Sequence, residues 1–431
     1  MEDILSCFFI HTKMIFNFKE NTLPTIGYFI ILILIAAEIY EFIVDKINDR
    51  YIEKAAENPP ERALKIYSSE ELKKSGEYHK DKSRVGHYES LLHGIIFFAL
   101  LIFGVFQWFS AELFYTYSSE YLRALIFFTF YQLLFALIAL PFDIYETFVI
   151  EKKYEFNKTT PALFIKDLIL GGTISYIIFV VILFVVVALI QSAGAYWYLY
   201  AACTVFLFSL FMMYLYPVVI APLFNKFQPL ENKELESEIF KLADKADFPV
   251  KNILQMDASK RSTHSNAYFT GFGKNKRIVL FDTLLNNHTE KEIINILAHE
   301  IGHYKLGHLK KMLFFMFVSV FVSFYLVGIL INNEFIYHAL GFEKSIFTGL
   351  FIISIILSPV GKVFEPVSSF FSRKHEYEAD SFAVKLTGEK DTMAETLVHL
   401  HKDNLSFPLP HPLYVKIHYS HPPLLKRIEH L

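Results

Sequence analysis

The sequence predicts an α-helical multi-pass membrane protein: seven transmembrane helices, capped on one side by a mostly helical polar domain with a small β-hairpin. Three observations carry this. Hydrophobic residues make up 53% and aromatics 17% of 431 residues, with 46 Phe and 25 Tyr, more than a soluble chain of this length normally carries. Seven apolar segments reach the roughly 20 residues needed to cross a hydrocarbon layer of about 30 Å. Two polar stretches flank the sixth and seventh of these segments, and the first contains His299-Glu300-Ile301-Gly302-His303.

The spans fall near residues 25–44, 89–109, 121–140, 168–190, 197–220, 312–332 and 346–370, the last interrupted by Pro359, Lys362, Glu365 and Pro366. Residues 1–24 scatter Glu2, Asp3, Lys13, Lys19 and Glu20 through an apolar stretch, which makes a poor signal peptide, so the first span is expected to stay as an anchor. Four parts follow: a five-span membrane region (1–220), a polar part with the histidine motif (221–311), spans six and seven (312–370) and a second polar part (371–431). Segment 45–87 holds ten Lys or Arg, and 142–164 adds Lys152, Lys153 and Lys158, whereas 110–120 and 191–196 hold none and 333–345 only Lys344. The positive-inside rule makes the basic loops cytoplasmic. The N-terminus then lies outside, and the C-terminus and both polar parts inside.

A formal charge of −3 and the lack of a basic patch give no sign of a nucleic-acid partner. Cys7 and Cys203 are remote from each other and suggest neither a disulfide framework nor a cysteine metal site. Within 221–311, Glu231 to Ala246 reads as a charged helix. The runs 266–272 and 277–281, joined by Gly273-Lys274-Asn275-Lys276, read as a hairpin. Thr289 and Glu290 suit the start of the motif helix.

On a helix, residues four apart share a face. His299 and His303 can therefore bind one zinc ion, with Glu300 one step round beside the open position, placed to take a proton from water. A third ligand is expected in Ser372-Arg373-Lys374-His375-Glu376-Tyr377-Glu378-Ala379-Asp380. There Glu376 and Asp380 share a face and Glu378 points away, so one carboxylate can bind metal while the other orients a ligating imidazole. An acidic patch after a span is the plainer reading. His308 is five residues past His303, the wrong spacing for a longer three-histidine pattern, and is expected to be structural or at the membrane surface. Near the end, His418-Tyr419-Ser420-His421-Pro422-Pro423 leads into Arg427; a histidine or arginine here suits an oxyanion donor, or simply a proline-stopped helix.

Several motifs recur together in order: Asn266-Ala267-Tyr268, the His299–His303 motif, Ser372-Arg373 with Glu376 and Ala379-Asp380, and His421-Pro422-Pro423. Pro141-Phe142, Phe156-Asn157-Lys158, Ala221-Pro222-Leu223-Phe224-Asn225-Lys226-Phe227 and Lys402-Asp403-Asn404-Leu405 add to them. From about residue 25 onward the chain resembles the type I CAAX prenyl protease family of membrane zinc peptidases. The resemblance implies one Zn2+ per chain on His299, His303 and Glu376, with Glu300 as general base and Asp380 behind the ligands. It implies His421 and Arg427 as substrate-side or oxyanion groups, and Asn266, Ala267 and Tyr268 as a strand holding the peptide by edge pairing. It also implies seven helices around a large water-filled chamber with the site at its cytoplasmic cap. Lys362 and Glu365 would then face the chamber, the other reading being a surface ion pair at a ragged helix end.

The expected reaction is zinc-dependent removal of the last three residues of a prenylated Cys-a-a-X protein. The partners would be a peptide or protein substrate, possibly lipidated, and membrane lipids. A composition rich in Lys, Ile and Phe suits an AT-rich genome, so a bacterial inner membrane is favoured, with the endoplasmic reticulum the alternative in a eukaryote. Two other functions fit the same residues: a general quality-control peptidase of membrane proteins, and a channel or transporter with a structural zinc.

Overall fold

The structure is a computed structural model describing residues 23–271 and 276–431. Cys7, the charged residues named between 1 and 22, and residues 272–275 of the expected hairpin lie outside the described residues. Seven helices are long and apolar enough to span a membrane. Thr25–Glu57 (α1), Ser69–Ile102 (α2), Glu120–Tyr145 (α3), Pro161–Ser192 (α4) and Trp197–Leu215 (α5) come first, followed by His308–Leu330 (α8) and Ile346–Thr387 (α9). Their flanks expose Phe29, Leu32, Leu137, Ile169, Leu207 and Phe314. Side chains of this kind belong against lipid, where only helices and closed barrels satisfy their own backbone.

Several helices outrun the apolar segments that announced them. α1 and α2 have 33 and 34 residues, about 50 Å at 1.5 Å per residue. Their polar ends are laced together: Asp49 on α1 accepts from Ser83 Oγ at 2.7 Å and lies 2.8 Å from His87 Nε2 on α2. α9 is a single helix of 42 residues with Pro359 and Pro366 inside it. It starts at a Ser345–Thr348 capping box and runs from the far end of the bundle into the polar domain. Lys362 and Glu365 are not paired with each other. Lys362 donates to Glu38 on α1 at 2.9 Å, and Glu365 lies 2.9 Å from His418 Nδ1, so each has a partner on another element.

The polar domain contains Lys233–Lys245 (α6), Glu290–Lys305 (α7), Lys390–Asp403 (α10), Pro412–His418 (α11) and Leu424–His430 (α12). Its sheet has four strands in the order β1-β2-β4-β3: Phe227–Pro229 (β1), Val250–Met256 (β2), Ala267–Thr270 (β3) and Lys276–Phe281 (β4). The expected hairpin is the antiparallel β3–β4 pair. β2 adds parallel to β4, and β1 antiparallel to β2. These two strands left no sequence signal, because β1 is three residues long and Val-Lys-Asn-Ile-Leu-Gln-Met lacks clean alternation. Ile278 and Leu280 of β4, Leu297, Ala298 and Ile301 of α7 and Ala383 of α9 form one dry core. That core, rather than helix propensity, fixes which face of α7 points at α9.

Candidate active site

α7 begins at Thr289, whose hydroxyl accepts from the Glu292 amide while Glu292 accepts from the Thr289 amide. The box partner is therefore Glu292; Glu290, expected beside the cap, accepts instead from Asn232 at 2.7 Å. With its start fixed and Ile293, Leu297 and Ile301 buried, the helix turns His299 and His303 toward α9. The approach is close at Gly302, where a Cβ would stand 3.2 Å from the Ala379 Cα and carbonyl oxygen and from Phe382 Cδ1. Glycine here lets the motif helix settle against the helix carrying the carboxylates.

His299 Nε2 and His303 Nε2 lie 3.1 Å apart. Glu376 Oε2 is 3.5 Å from the first and Oε1 is 3.3 Å from the second. Tetrahedral zinc with Zn–N near 2.0–2.1 Å sets its ligand atoms about 3.3 Å apart, so these edges have the right length. The protonation pattern fits as well. His299 Nδ1–H donates to Asp380 Oδ1 at 2.7 Å, which leaves the Nε2 lone pair facing its partners. The buried Glu376 Oε2 has no aligned hydrogen bond among the described residues. Two imidazole lone pairs and a carboxylate aimed at one point form the donor set of a divalent metal site.

Asp380 is fully buried and clamped by Arg427, whose Nε and Nη2 donate to its two oxygens at 2.8 and 2.6 Å. Arg427, expected on the substrate side, is thus turned into the protein and only 7% exposed, because a buried carboxylate needs a paired donor. His421 stands at the mouth of the site, 65% exposed, with Nδ1 2.8 Å from Glu376 Oε2. Glu300 is half-buried on the helix step after His299.

His308 touches His303, a contact that spacing alone did not reveal. Gly307, at φ 68°, breaks the chain between α7 and α8 and folds His308 back. Its Nε2–H donates to Glu378 at 2.9 Å, and its Nδ1 accepts from His303 Nδ1–H at 3.0 Å. Glu378 does point away from the site, as its place on the helix requires, yet it acts on His303 through His308. His375 stacks on His308 at 4.1 Å.

Asn266, Ala267 and Tyr268 lie at and just before β3, the edge strand of the sheet, whose other edge pairs with β4. β3 packs against α7. Burial raises the Tyr268 hydroxyl to a pKa of about 12. Beside the site opens a cavity of about 820 Å³ bounded by Asp45, Asp49, His87, His401, His418 and His421.

Comparison with known proteins extends these observations along the whole chain. A family model described as CAAX prenyl protease N-terminal, five membrane helices, matches residues 48–226, and that of peptidase family M48 matches 229–431. A CAAX prenyl protease 1 homolog of Arabidopsis thaliana is 37% identical, aligned over 86% of this chain and 89% of its own length. The Homo sapiens homolog is 35% identical over 89% and 90%. The crystal structure of S. mikatae Ste24p superposes with a TM-score of 0.86 at 32% identity, covering 96% of this chain and all of that one. Adjoining matches to both family models, and relatives above 30% identity along nearly their full length, make this chain a member of peptidase family M48 of the CAAX prenyl protease type, a multi-pass membrane metallopeptidase.

Proposed function

We propose that the chain is a zinc-dependent endopeptidase that removes the C-terminal tripeptide of prenylated Cys-a-a-X proteins at the cytoplasmic face of its membrane. The observation that carries the reading is the convergence of His299, His303 and Glu376 at ligand distances, beside a cavity at the charged ends of α1 and α2. The relatives named above, called CAAX prenyl proteases, supply the substrate class. They are eukaryotic, which favours the endoplasmic reticulum over a bacterial inner membrane. The basic loop at 45–87 supports the cytoplasmic side.

His299, His303 and Glu376 hold the metal. Asp380 fixes the His299 tautomer through Nδ1, and Arg427 fixes Asp380, so Arg427 is a positioning residue. A zinc ion there would supply Lewis acidity, polarising the scissile carbonyl and making water a better acid. Glu300 accepts the proton of the attacking water and passes it to the departing amine. His421, exposed and within 2.8 Å of Glu376, stabilises the developing oxyanion. The free edge of β3 pairs with the peptide main chain, with Asn266, Ala267 and Tyr268 setting its register, while the cavity and the adjoining lipid receive the prenylated end.

The test uses full-length protein in detergent with farnesylated and unmodified forms of one Cys-a-a-X peptide, and Glu300→Ala as control. Loss of the tripeptide from the farnesylated form alone, abolished in Glu300→Ala, is the expected result. Glu300-dependent cleavage of both forms would replace this reading with a broad membrane peptidase. Glu300-independent turnover would remove the proposed base.

A further inference from the structure

At the start of α7, away from His299 and His303, a second group of histidines and carboxylates has no part in the chemistry above. His288 immediately precedes the Thr289 cap, Glu292 is in the first turn, and His399 and Asp403 are on α10. One ligand atom from each of His288, Glu292 and His399 lies within 4.8 Å of the others. Glu292 Oε1 is 2.8 Å from His399 Nδ1, and Oε2 is 3.7 Å from His288 Nδ1. On the far side of both rings stands Asp403, with Oδ2 3.3 Å from His288 Nε2 and Oδ1 3.6 Å from His399 Nε2.

The His288 side chain is completely buried, yet among the described residues neither of its ring nitrogens has an aligned hydrogen bond, and neither has Asp403 Oδ2. A neutral imidazole carries one N–H and one lone pair, so leaving both unused in the interior is costly. Protonating both histidines would set two cations in rings 4.3 Å apart. One divalent cation on the Nδ1 side removes both difficulties. It takes the two Nδ1 lone pairs and offsets the Glu292 charge, while Asp403 stands behind both Nε2 atoms at 3.3 and 3.6 Å, the place an outer carboxylate holds behind metal-bound histidines. Glu292 keeps its cap meanwhile, because Oε2 accepts from the Thr289 amide at 2.8 Å, while Oε1, which meets His399 Nδ1 at 2.8 Å, is the oxygen a metal would take in place of that contact. The third such group, His308 with His375 and Glu378, is already explained by the hydrogen bonds reaching His303.

We propose that His288, Glu292 and His399 form a second, structural site for a borderline divalent transition-metal ion, with Asp403 as its outer carboxylate, tying the start of α7 to α10. Two imidazoles and one carboxylate suit zinc before magnesium or calcium. Water fills the remaining position on the side of His399, which is about one-third exposed. The site lies on the helix that presents His299 and His303, so it braces the catalytic histidines from behind.

The experiment counts metal and needs no activity. Full-length protein in detergent is stripped with a chelator, reloaded with Zn2+, desalted, and its zinc per chain measured by plasma mass spectrometry. Wild type is expected to hold two equivalents. His399→Gln, at a partly exposed position, and His303→Ala should hold one each, and the double variant none. Asp403→Asn keeps every ligand and should weaken one of the two equivalents by roughly 10- to 100-fold, so the site is tested even if His399→Gln folds poorly. One equivalent in wild type that His303→Ala removes would overturn the proposal. So would two equivalents in His399→Gln with unchanged affinities in Asp403→Asn. Failure of the peptide-cleavage test would leave this count unaffected.

Discussion

Replacing Arg427 by methionine tests the logic of the catalytic site most directly. The guanidinium donates to both oxygens of Asp380 at 2.8 and 2.6 Å, and both side chains are almost fully buried. In the variant, the His299 Nδ1–H contact at 2.7 Å is what Asp380 keeps among the described residues. Stranding a buried charge by removing its partner costs roughly 3–5 kcal/mol. A rotated or protonated Asp380 no longer fixes the His299 tautomer, and such outer contacts are worth roughly 10- to 100-fold in metal affinity. Arg427→Met is therefore expected to unfold at lower temperature in detergent and to bind Zn2+ tens of times more weakly in a competition titration. Arg427→Lys retains the charge but loses the two-point geometry, and should fall between them. Wild-type zinc affinity in Arg427→Met, within about threefold, would refute the chain from Arg427 through Asp380 to His299.

Three further outcomes follow from the structure. Gly302→Ala gains about 1 kcal/mol of helix propensity but pushes a methyl group against Ala379 and Phe382, overpacking that costs roughly 1–3 kcal/mol. Because it separates α7 from α9, zinc affinity should fall with a net stability loss of no more than about 2 kcal/mol, and an unchanged affinity would contradict this. Gly349→Ala places a Cβ inside the space of the Tyr337 hydroxyl, which donates to the Ile331 carbonyl at 2.7 Å; a loss of roughly 1–3 kcal/mol should appear as a lower unfolding temperature that Gly349→Ala/Tyr337→Phe partly restores. Burial and the Arg427 charge push His401 down to about 4, so below pH 6.5 the unfolded chain takes up a proton that the folded chain refuses. Stability is whole above pH 6.5 and falls by about 3 kcal/mol toward pH 4; His401→Gln should flatten that part of the stability profile, and an equally steep one would exclude His401 as its source.

What could be read in advance followed from period. Helical spacing of four put His299 with His303 and Glu376 with Asp380, and the apolar runs located every spanning helix. Tertiary context decided the rest. Pro359 and Pro366 suggested a ragged span, but a helix whose neighbours shelter the freed carbonyls tolerates proline, so α9 continues to Thr387. Arg427 carries no local mark of its role, since an arginine near a tail reads alike whether it faces substrate or Asp380. Spacing alone excludes His308 because it assumes an unbroken helix, and Gly307, left-handed in the structure, is the clue that the helix breaks there. His288 and Glu292 stand more than a hundred positions before His399 in the chain, and no periodicity links them.

The proposed metal ligands sit on two helices with α8 and the membrane-crossing half of α9 between them. His299 and His303 are synthesised before the chain turns back through the bilayer, whereas Glu376 emerges only after the second crossing and Arg427 later still. A chain in which just one of these two spans inserts leaves the histidines and the carboxylate on opposite sides of a lipid barrier. Correct topology is thereby a condition of catalysis, and a nascent or misthreaded copy cannot cut its neighbours.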